Sequence, residues 1–264
     1  MTLHETITAS ENQARGLAEK EQWREAAREL LRAAKAEPRN TARWLQIAAW
    51  QRQSGDAKTA AQTLQTALRL NNNNKKKSTL LPPDDSTALR QALAEAHLEA
   101  QNWDEAMSVC RALLEISPHH HFAQELLATA LLQSGNLSES ETVMRNLILQ
   151  SPRDPLHRLR LATLLQLQGR LGDSTREFER VLGLHPEFAL AGEAHEAVET
   201  LDRMQTQQVL IMASEQFSFR RELETDMESA LETLGFYLSE SGRDSLKHLI
   251  WDGSLTSESP TRLH

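Results

Sequence analysis

The chain has 264 residues, a formal net charge of −8 and a pI near 5.7, and its lysines and arginines are spread among glutamates. This balance argues against a nucleic-acid-binding protein. No apolar run approaches the roughly 20 residues of a membrane-spanning helix, and residues 1–5 do not resemble a signal peptide, so no membrane insertion is expected. The single cysteine, Cys110, excludes an internal disulfide and fits a cytoplasmic location.

A unit of 34 residues recurs along the chain and usually ends in proline. The unit ends are spaced 34, 46, 34 and 34 residues apart, so one insertion of 12 residues, placed within 71–85, interrupts a constant register. These unit ends are Pro38, Asn72, Pro118, Pro152 and Pro186. Such a period is typical of stacked helical hairpins. It predicts repeats at about 7–40, 41–74, 87–120, 121–154 and 155–188.

Four of the five units place a small residue directly after a large apolar one in the first helix, and the first unit has Gln13 in place of the apolar residue. Every unit has another small residue in its second helix. In the second unit these are Ile47 with Ala48, and Ala60, separated by a turn at Gly55 and Asp56. Small side chains there allow two helices to approach closely. The pattern resembles the tetratricopeptide repeat. The resemblance implies an all-α solenoid, a right-handed superhelix over residues 4–188, whose first helices line a concave binding groove.

In this register the groove is polar in the first three repeats and more apolar in the last two. The predicted partner-binding residues are Phe122, Glu125, Thr129, Leu132, Leu156, Leu159, Thr163, Gln166 and Leu167. An exposed apolar groove is normally covered, so we expect a helix to fill it, either from a partner or from the chain's own segment 214–251. Phe217, Phe219 or Trp251 would then be the internal anchors.

Chaperone-binding relatives of this repeat class hold a partner's C-terminal carboxylate between paired lysine, asparagine and arginine side chains. The corresponding slots of this chain are occupied by Glu11, Arg15, Gln46, Ala88 and Ala92. A clamp for a terminal carboxylate is therefore not expected, and the usual chaperone partnership is not supported.

Candidate sites for other chemistry are few. Lys75–Lys77 lie in the insertion, which is interpreted as a mobile polar linker, with a docking loop for an acidic partner as the alternative. His119–His121 are interpreted as a solvated turn, since three consecutive histidines cannot all point at one ion. No phosphate-binding loop or catalytic grouping is recognisable. We therefore expect no enzymatic activity, no metal and no cofactor.

Residues 189–251 are predicted to form a helical C-terminal cap, and 252–264 a disordered tail. One helix should run from Ala189 to about Ala213, a second should end at Gly235, and a third should begin after Ser239. Part of this region also resembles leader segments of ribosomally made modified peptides, through Phe219–Leu223, Asp226, Ala230–Leu231, Gly235–Phe236 and Leu238–Ser239.

The two resemblances imply two alternative functions. The first is a non-enzymatic scaffold that binds a protein or peptide in its groove. The alternative, implied by the leader resemblance, is an accessory or substrate-presenting subunit of a peptide- or protein-modifying enzyme, with the C-terminal helices doing the presenting. The sequence leaves the partner and the oligomeric state unknown.

Overall fold

The computed structural model describes residues 3–72 and 83–251, and this part of the chain consists of helices and turns with no strand, which confirms the all-α prediction. The helices are α1 (Leu3–Ala18), α2 (Trp23–Ala36), α3 (Thr41–Gln53), α4 (Ala57–Asn72), α5 (Pro83–Glu99), α6 (Trp103–Ile116), α7 (His121–Gln133), α8 (Leu137–Gln150), α9 (Pro155–Leu167), α10 (Leu171–Leu182), α11 (Phe188–Glu215), α12 (Phe217–Thr225), α13 (Met227–Thr233) and α14 (Glu240–Trp251). The chain divides into two compact units, and the division falls inside α8, between Val143 and Met144.

The first unit is built from helical hairpins in chain order. Helices α1 and α2, α3 and α4, and α5 and α6 pack as pairs, and each second helix also packs on the next first helix. The small residues at the predicted contact slots are at most 1% exposed: Ala14, Ala26, Ala48, Ala60, Ala94, Ala106 and Ala128. Between them, Trp44 is fully buried, and its indole Nε1 donates to the carbonyl oxygen of Pro38 at 2.9 Å. The small residues that recur in the sequence therefore lie where neighbouring helices pack together.

The turn inside each hairpin has one residue with a left-handed backbone, at the same position in every repeat. Gly55, Gly135 and Gly169 occupy it with φ of 79°, 81° and 75°. In the first and third repeats the same slot is filled by Glu21 and Gln101, with φ of 58° and 59°. A residue with a Cβ is disfavoured in this conformation. The five hairpins therefore share one turn conformation, whether or not the residue is glycine.

Two serines occupy the small slot of the second helix in the fourth and fifth repeats. The hydroxyl of Ser140 donates to the carbonyl oxygen of Ala128 at 3.0 Å, and the hydroxyl of Ser174 donates to that of Ala162 at 2.8 Å. All four residues are fully buried. The close approach that the sequence predicts thus also carries a hydrogen bond between helices, because an oxygen can reach the backbone there.

The second unit contains the α9 and α10 hairpin and the C-terminal helices. The core of the hairpin continues onto α11, where Phe178 and Val181 of α10 pack with Ala194 and Leu201. A separate cluster joins the end of α11 to α12, α13 and α14: Val209, Ala213, Phe219, Leu223, Ala230, Leu231, Leu238 and Leu246. The C-terminal helices thus gain their core by packing on α11, as short helices must.

The predicted cap helices agree with the structure except at one break. Helix α11 covers the predicted 189–213 segment, and the Ser239 hydroxyl accepts the Gly242 amide at the start of α14, as expected of an N-cap. The region predicted as one helix up to Gly235 is instead two, α12 and α13. They part at Asp226, whose carboxylate accepts the Ser229 amide at 3.1 Å and so begins a new helix.

Both ends of the predicted insertion, 71–85, are helical. Residues 71–72 end α4 and residues 83–85 begin α5, where a proline is compatible with the first turn of a helix. The remainder of the insertion, 73–82, including Lys75–Lys77, lies outside the described residues, as does the tail 252–264.

Candidate partner-binding surfaces

Helix α7 carries four of the predicted partner-binding residues. Phe122, Glu125, Thr129 and Leu132 are all half-buried, so each keeps part of its side chain accessible. The Thr129 hydroxyl donates to the Glu125 carbonyl oxygen at 2.9 Å, within the helix. The accessible surface of α7 is therefore mixed, with the apolar Phe122 near one end of the helix and Leu132 near the other.

Helix α9 carries the other five, and they divide into two groups. Leu156 and Gln166 are half-buried, Thr163 is exposed, and Leu167 is 61% exposed. Leu159 is different, because it is only 6% exposed and packs in the core with Phe178 and Val181. A buried leucine is not available to a partner, so Leu159 belongs to the core rather than to a binding surface.

The cause of this misplacement is the composition of α9. Leucine occupies positions on almost every side of the helix, and Leu161, Leu164 and Leu165 are buried together with Leu159. A helix that is apolar all round gives no polar face from which to read its orientation. The slot assignment therefore placed one core residue among the accessible ones.

The first helices of the earlier repeats are joined by ion pairs. Arg43 of α3 donates to Glu11 of α1 at 2.5 Å. Arg52 of α3 forms ion pairs with two carboxylates of α5. Its Nη2 lies 2.6 Å from Glu99 Oε1, and its Nη1 donates to Glu95. The hydrogen bond to Glu99, together with that to Glu95 and against the effect of burial, raises the pKa of Arg52 above its ordinary value.

This arrangement determines what the polar face of α3 and α5 can bind. Arg43 and Arg52 already contact carboxylates of the chain itself, so a partner's terminal carboxylate would have to displace them. Such displacement exchanges one ion pair for another and gains little free energy. These ion pairs are a second argument, besides residue type, against a carboxylate clamp on α3 and α5, and its absence stays a prediction.

A contact between α10, α11 and the segment before α14 is not among the features predicted from the sequence. The side-chain amide of Gln205 on α11 pairs with the backbone of Tyr237, donating to its carbonyl oxygen and accepting from its amide, both at 3.0 Å. Gln205 also donates to the Thr175 hydroxyl of α10 at 3.0 Å. Gln205 is fully buried, so these hydrogen bonds are shielded from water.

Two further side chains hold the same segment. Asp202, 7% exposed, accepts from the Ser239 amide at 2.9 Å and from the Ser239 hydroxyl at 2.5 Å. The hydroxyl of Tyr237 donates to Glu179 at 2.5 Å, and the Arg176 guanidinium lies 4.6 Å from the centre of the Tyr237 ring. The hydrogen bond to Glu179 and burial raise the pKa of Tyr237, so its hydroxyl is held as a donor.

One glycine makes this contact possible. A Cβ on Gly172 of α10 would lie 2.4 Å from the carbonyl oxygen of Gly235 and 2.9 Å from the Tyr237 amide nitrogen. Glycine near the start of a helix is an available sequence signal for close backbone approach. Residues 235–239 thus contact α10 and α11 within the second unit. Phe217 is 78% exposed, Phe219 is buried in the cap cluster, and the Trp251 side chain lies outside the described residues.

His120 and Cys110 both have roles in the fold itself. His120 Nδ1 accepts the Ala123 amide at 3.2 Å, which makes this histidine the N-cap of α7. Cys110 is fully buried, and burial raises its pKa to about 12, so it is a thiol at neutral pH.

Across the described ranges no three His, Cys, Asp or Glu side chains are grouped as a metal site would need. No helix of residues 3–72 and 83–251 is long and apolar enough to cross a membrane.

Comparisons with known proteins agree with this fold. Two family models described as tetratricopeptide repeat match, one over residues 51–121 and one over 97–160. No curated protein matches the chain. Among solved structures, MamA from Desulfovibrio magneticus RS-1 has a TM-score of 0.55 at 16% identity, covering 68% of this chain and 95% of that one. YrrB, described as a TPR protein with an unusual peptide-binding site, has a TM-score of 0.52 at 13% identity, covering 71% and 90%.

Identities this low carry the fold alone, and the family models carry the repeat assignment. Together with the recurring small residues and the left-handed turns, they identify residues 51–160 as tetratricopeptide repeats.

Proposed function

We propose that this protein is a non-enzymatic scaffold in which α7 and α9, the first helices of its last two repeats, each bind an apolar peptide or helical segment of a partner protein. The observation that carries the proposal is the exposure of apolar side chains there. Leu167 of α9 is 61% exposed, and Phe122, Leu132 and Leu156 are half-buried. Each helix, α7 and α9, offers its own set of anchors.

The energetic reason is the area of these side chains. Full burial of an exposed leucine contributes about 1.5–3 kcal/mol, and binding energy concentrates in a few such anchors. The polar neighbours Thr163 and Gln166 on α9 would fix the register of the bound segment. The tetratricopeptide repeats within residues 51–160 support a protein-interaction role in general.

The alternative role, presentation of the C-terminal helices to a modifying enzyme, has less support. The apolar residues that carry the leader resemblance are the core of the cap: Phe219, Leu223 and Leu238 are at most 5% exposed. In this fold they are buried against α11 and are not accessible to an enzyme that would read them.

A matched pair of substitutions tests the proposed surface. Leu167→Glu places a charge on α9, and Leu149→Glu places the same charge on α8, a second helix, where the leucine is 77% exposed. Partners captured by the unmodified chain are identified by mass spectrometry, and their affinities are measured by calorimetry. We expect Leu167→Glu to weaken binding at least about tenfold, which is roughly the value of one lost anchor, while Leu149→Glu leaves it unchanged.

The opposite ranking of these two variants would refute the proposal, and so would equal binding by both. Circular dichroism should show unchanged helical content, since both leucines are solvent-exposed. Phe122→Ala tests α7 independently of α9.

A further inference from the structure

A cleft of about 1100 Å³ lies in the second unit between α10, α11 and α14. Its floor is apolar and includes Leu182, Val198 and Leu210, of which Leu182 and Leu210 are half-buried. None of the predicted partner-binding residues lines it. The cleft exists because the Tyr237 and Ser239 contacts fix the start of α14 against α11.

The rim of the cleft is acidic. Five carboxylates line it, and two of them are engaged within the fold, Glu179 with the Tyr237 hydroxyl and Asp202 with Ser239. The remaining three, Glu199 of α11 and Glu240 and Asp244 of α14, are exposed. Asp244 has Lys247 Nζ at 3.4 Å, and Arg203 and two histidines, His195 and His248, complete the charged and titratable lining.

We propose that this cleft binds a short, basic amphipathic segment of a partner protein. Apolar side chains of the segment would cover Leu182, Val198 and Leu210, while its lysines or arginines would pair with carboxylates on both walls. A helix with its side chains is roughly 10–12 Å across, so a volume of about 1100 Å³ accommodates about two turns. Binding of an amphipathic helix in an apolar groove is a common recognition mode.

Charge complementarity selects this occupant over the chain's own end. Residues 252–264 contain two carboxylates, Asp252 and Glu258, and one arginine, Arg262. A segment of that composition gains nothing from an acidic rim, whereas a lysine-rich segment gains attraction at both walls. A second copy of the chain, with a net charge of −8, is disfavoured for the same reason.

The test uses the full chain and a labelled helix-forming peptide of leucine and lysine, about three turns long. Its counterpart has glutamate in place of lysine. Fluorescence anisotropy should show binding of the lysine peptide only, and binding should weaken as ionic strength rises from about 0.05 M to about 0.5 M.

Because any basic peptide is attracted to an acidic protein, the decisive comparison keeps net charge equal. The variant Glu199→Gln, Glu240→Gln, Asp244→Asn removes three rim carboxylates. The control Glu193→Gln, Glu196→Gln, Glu215→Gln removes three exposed carboxylates of α11 that do not line the cleft. We expect the rim variant to bind the lysine peptide about tenfold more weakly and the control to bind it like the unmodified chain.

A third variant keeps the inference testable if the rim variant unfolds. Ser245→Arg adds a cation inside the cleft at an exposed position and should also weaken binding. Equal binding by rim and control variants, or equal binding of both peptides, overturns the inference. Leu167→Glu should leave binding of the lysine peptide unchanged, so a failure here is distinguishable from a failure of the proposed α9 surface.

Discussion

The first helices of the early repeats and the C-terminal cap are held by different interactions. Helix α3 contacts α1 and α5 through Arg43 and Arg52, whose carboxylate partners remain one quarter to one half exposed. The cap is held by Gln205 and Asp202, both buried and both bonded to the backbone of residues 237–239. When an exposed ion pair is broken, water solvates both charged groups, whereas a buried polar group that loses its partner has no water to bond with. The cap contact should therefore dominate stability locally, and the ion pairs should matter little.

The largest expected effect is that of Gly172→Ala. The new Cβ would meet the backbone of residues 235–237, which cannot move aside like a flexible side chain. We expect a loss of about 3 kcal/mol in the free energy of unfolding, measured by urea denaturation, and faster hydrogen exchange in residues 235–250. Gly192→Ala on α11 is the control, since its Cβ would enter open space, and it should stabilise by about 0.5–1 kcal/mol. Similar behaviour of the two variants would contradict the close backbone contact.

Gln205→Ala should have an intermediate effect. It removes three hydrogen bonds and leaves the amide and carbonyl of Tyr237 without their partner. The expected loss is about 2 kcal/mol, again with faster exchange confined to the cap. Gln208→Ala, on the exposed side of the same helix, is the matched control. If both substitutions cost the same, the amide of Gln205 does not hold the segment.

Arg52→Gln should have the smallest effect. The ion pairs with Glu95 and Glu99 are partly exposed, so their loss should cost less than about 1 kcal/mol and the difference should shrink in salt. Hydrogen exchange should quicken in α3 and α5 and remain unchanged in residues 235–250. A larger cost, insensitive to salt, would show that Arg52 acts as a buried anchor and would remove the contrast between the two regions.

The sequence predicts the repeats well because their signals are periodic. A small residue or a turn at a fixed spacing is visible even where one unit departs from it, as at Gln101, which adopts the left-handed turn that glycine adopts elsewhere. The accessible surface is harder to predict. In α9 leucine surrounds the helix, so Leu159 could be placed in the core only from the position of α10.

The cap contact could not be predicted because its residues are far apart in sequence. Gln205 and Tyr237 are 32 positions apart, and Glu179 and Tyr237 are 58 positions apart. No periodicity joins them, since this segment is not a repeat. Gly172 is the local signal in the sequence. It indicates that another backbone comes close to α10, but it does not indicate which segment of the chain this is. Likewise, the break at Asp226 depends on whether one carboxylate caps the next helix or faces water.

The α10 side of the cap contact has a use in protein engineering. Gly172, Thr175, Arg176 and Glu179 follow the spacing i, i+3, i+4 and i+7, so they form a single stripe on one helix. Designed repeat arrays need a terminal module that covers the last helix and keeps the array soluble. Transfer of this stripe to the last helix of another array, together with residues 188–251, would supply such a module as a portable part. Gly172 is the position in it that admits no substitution.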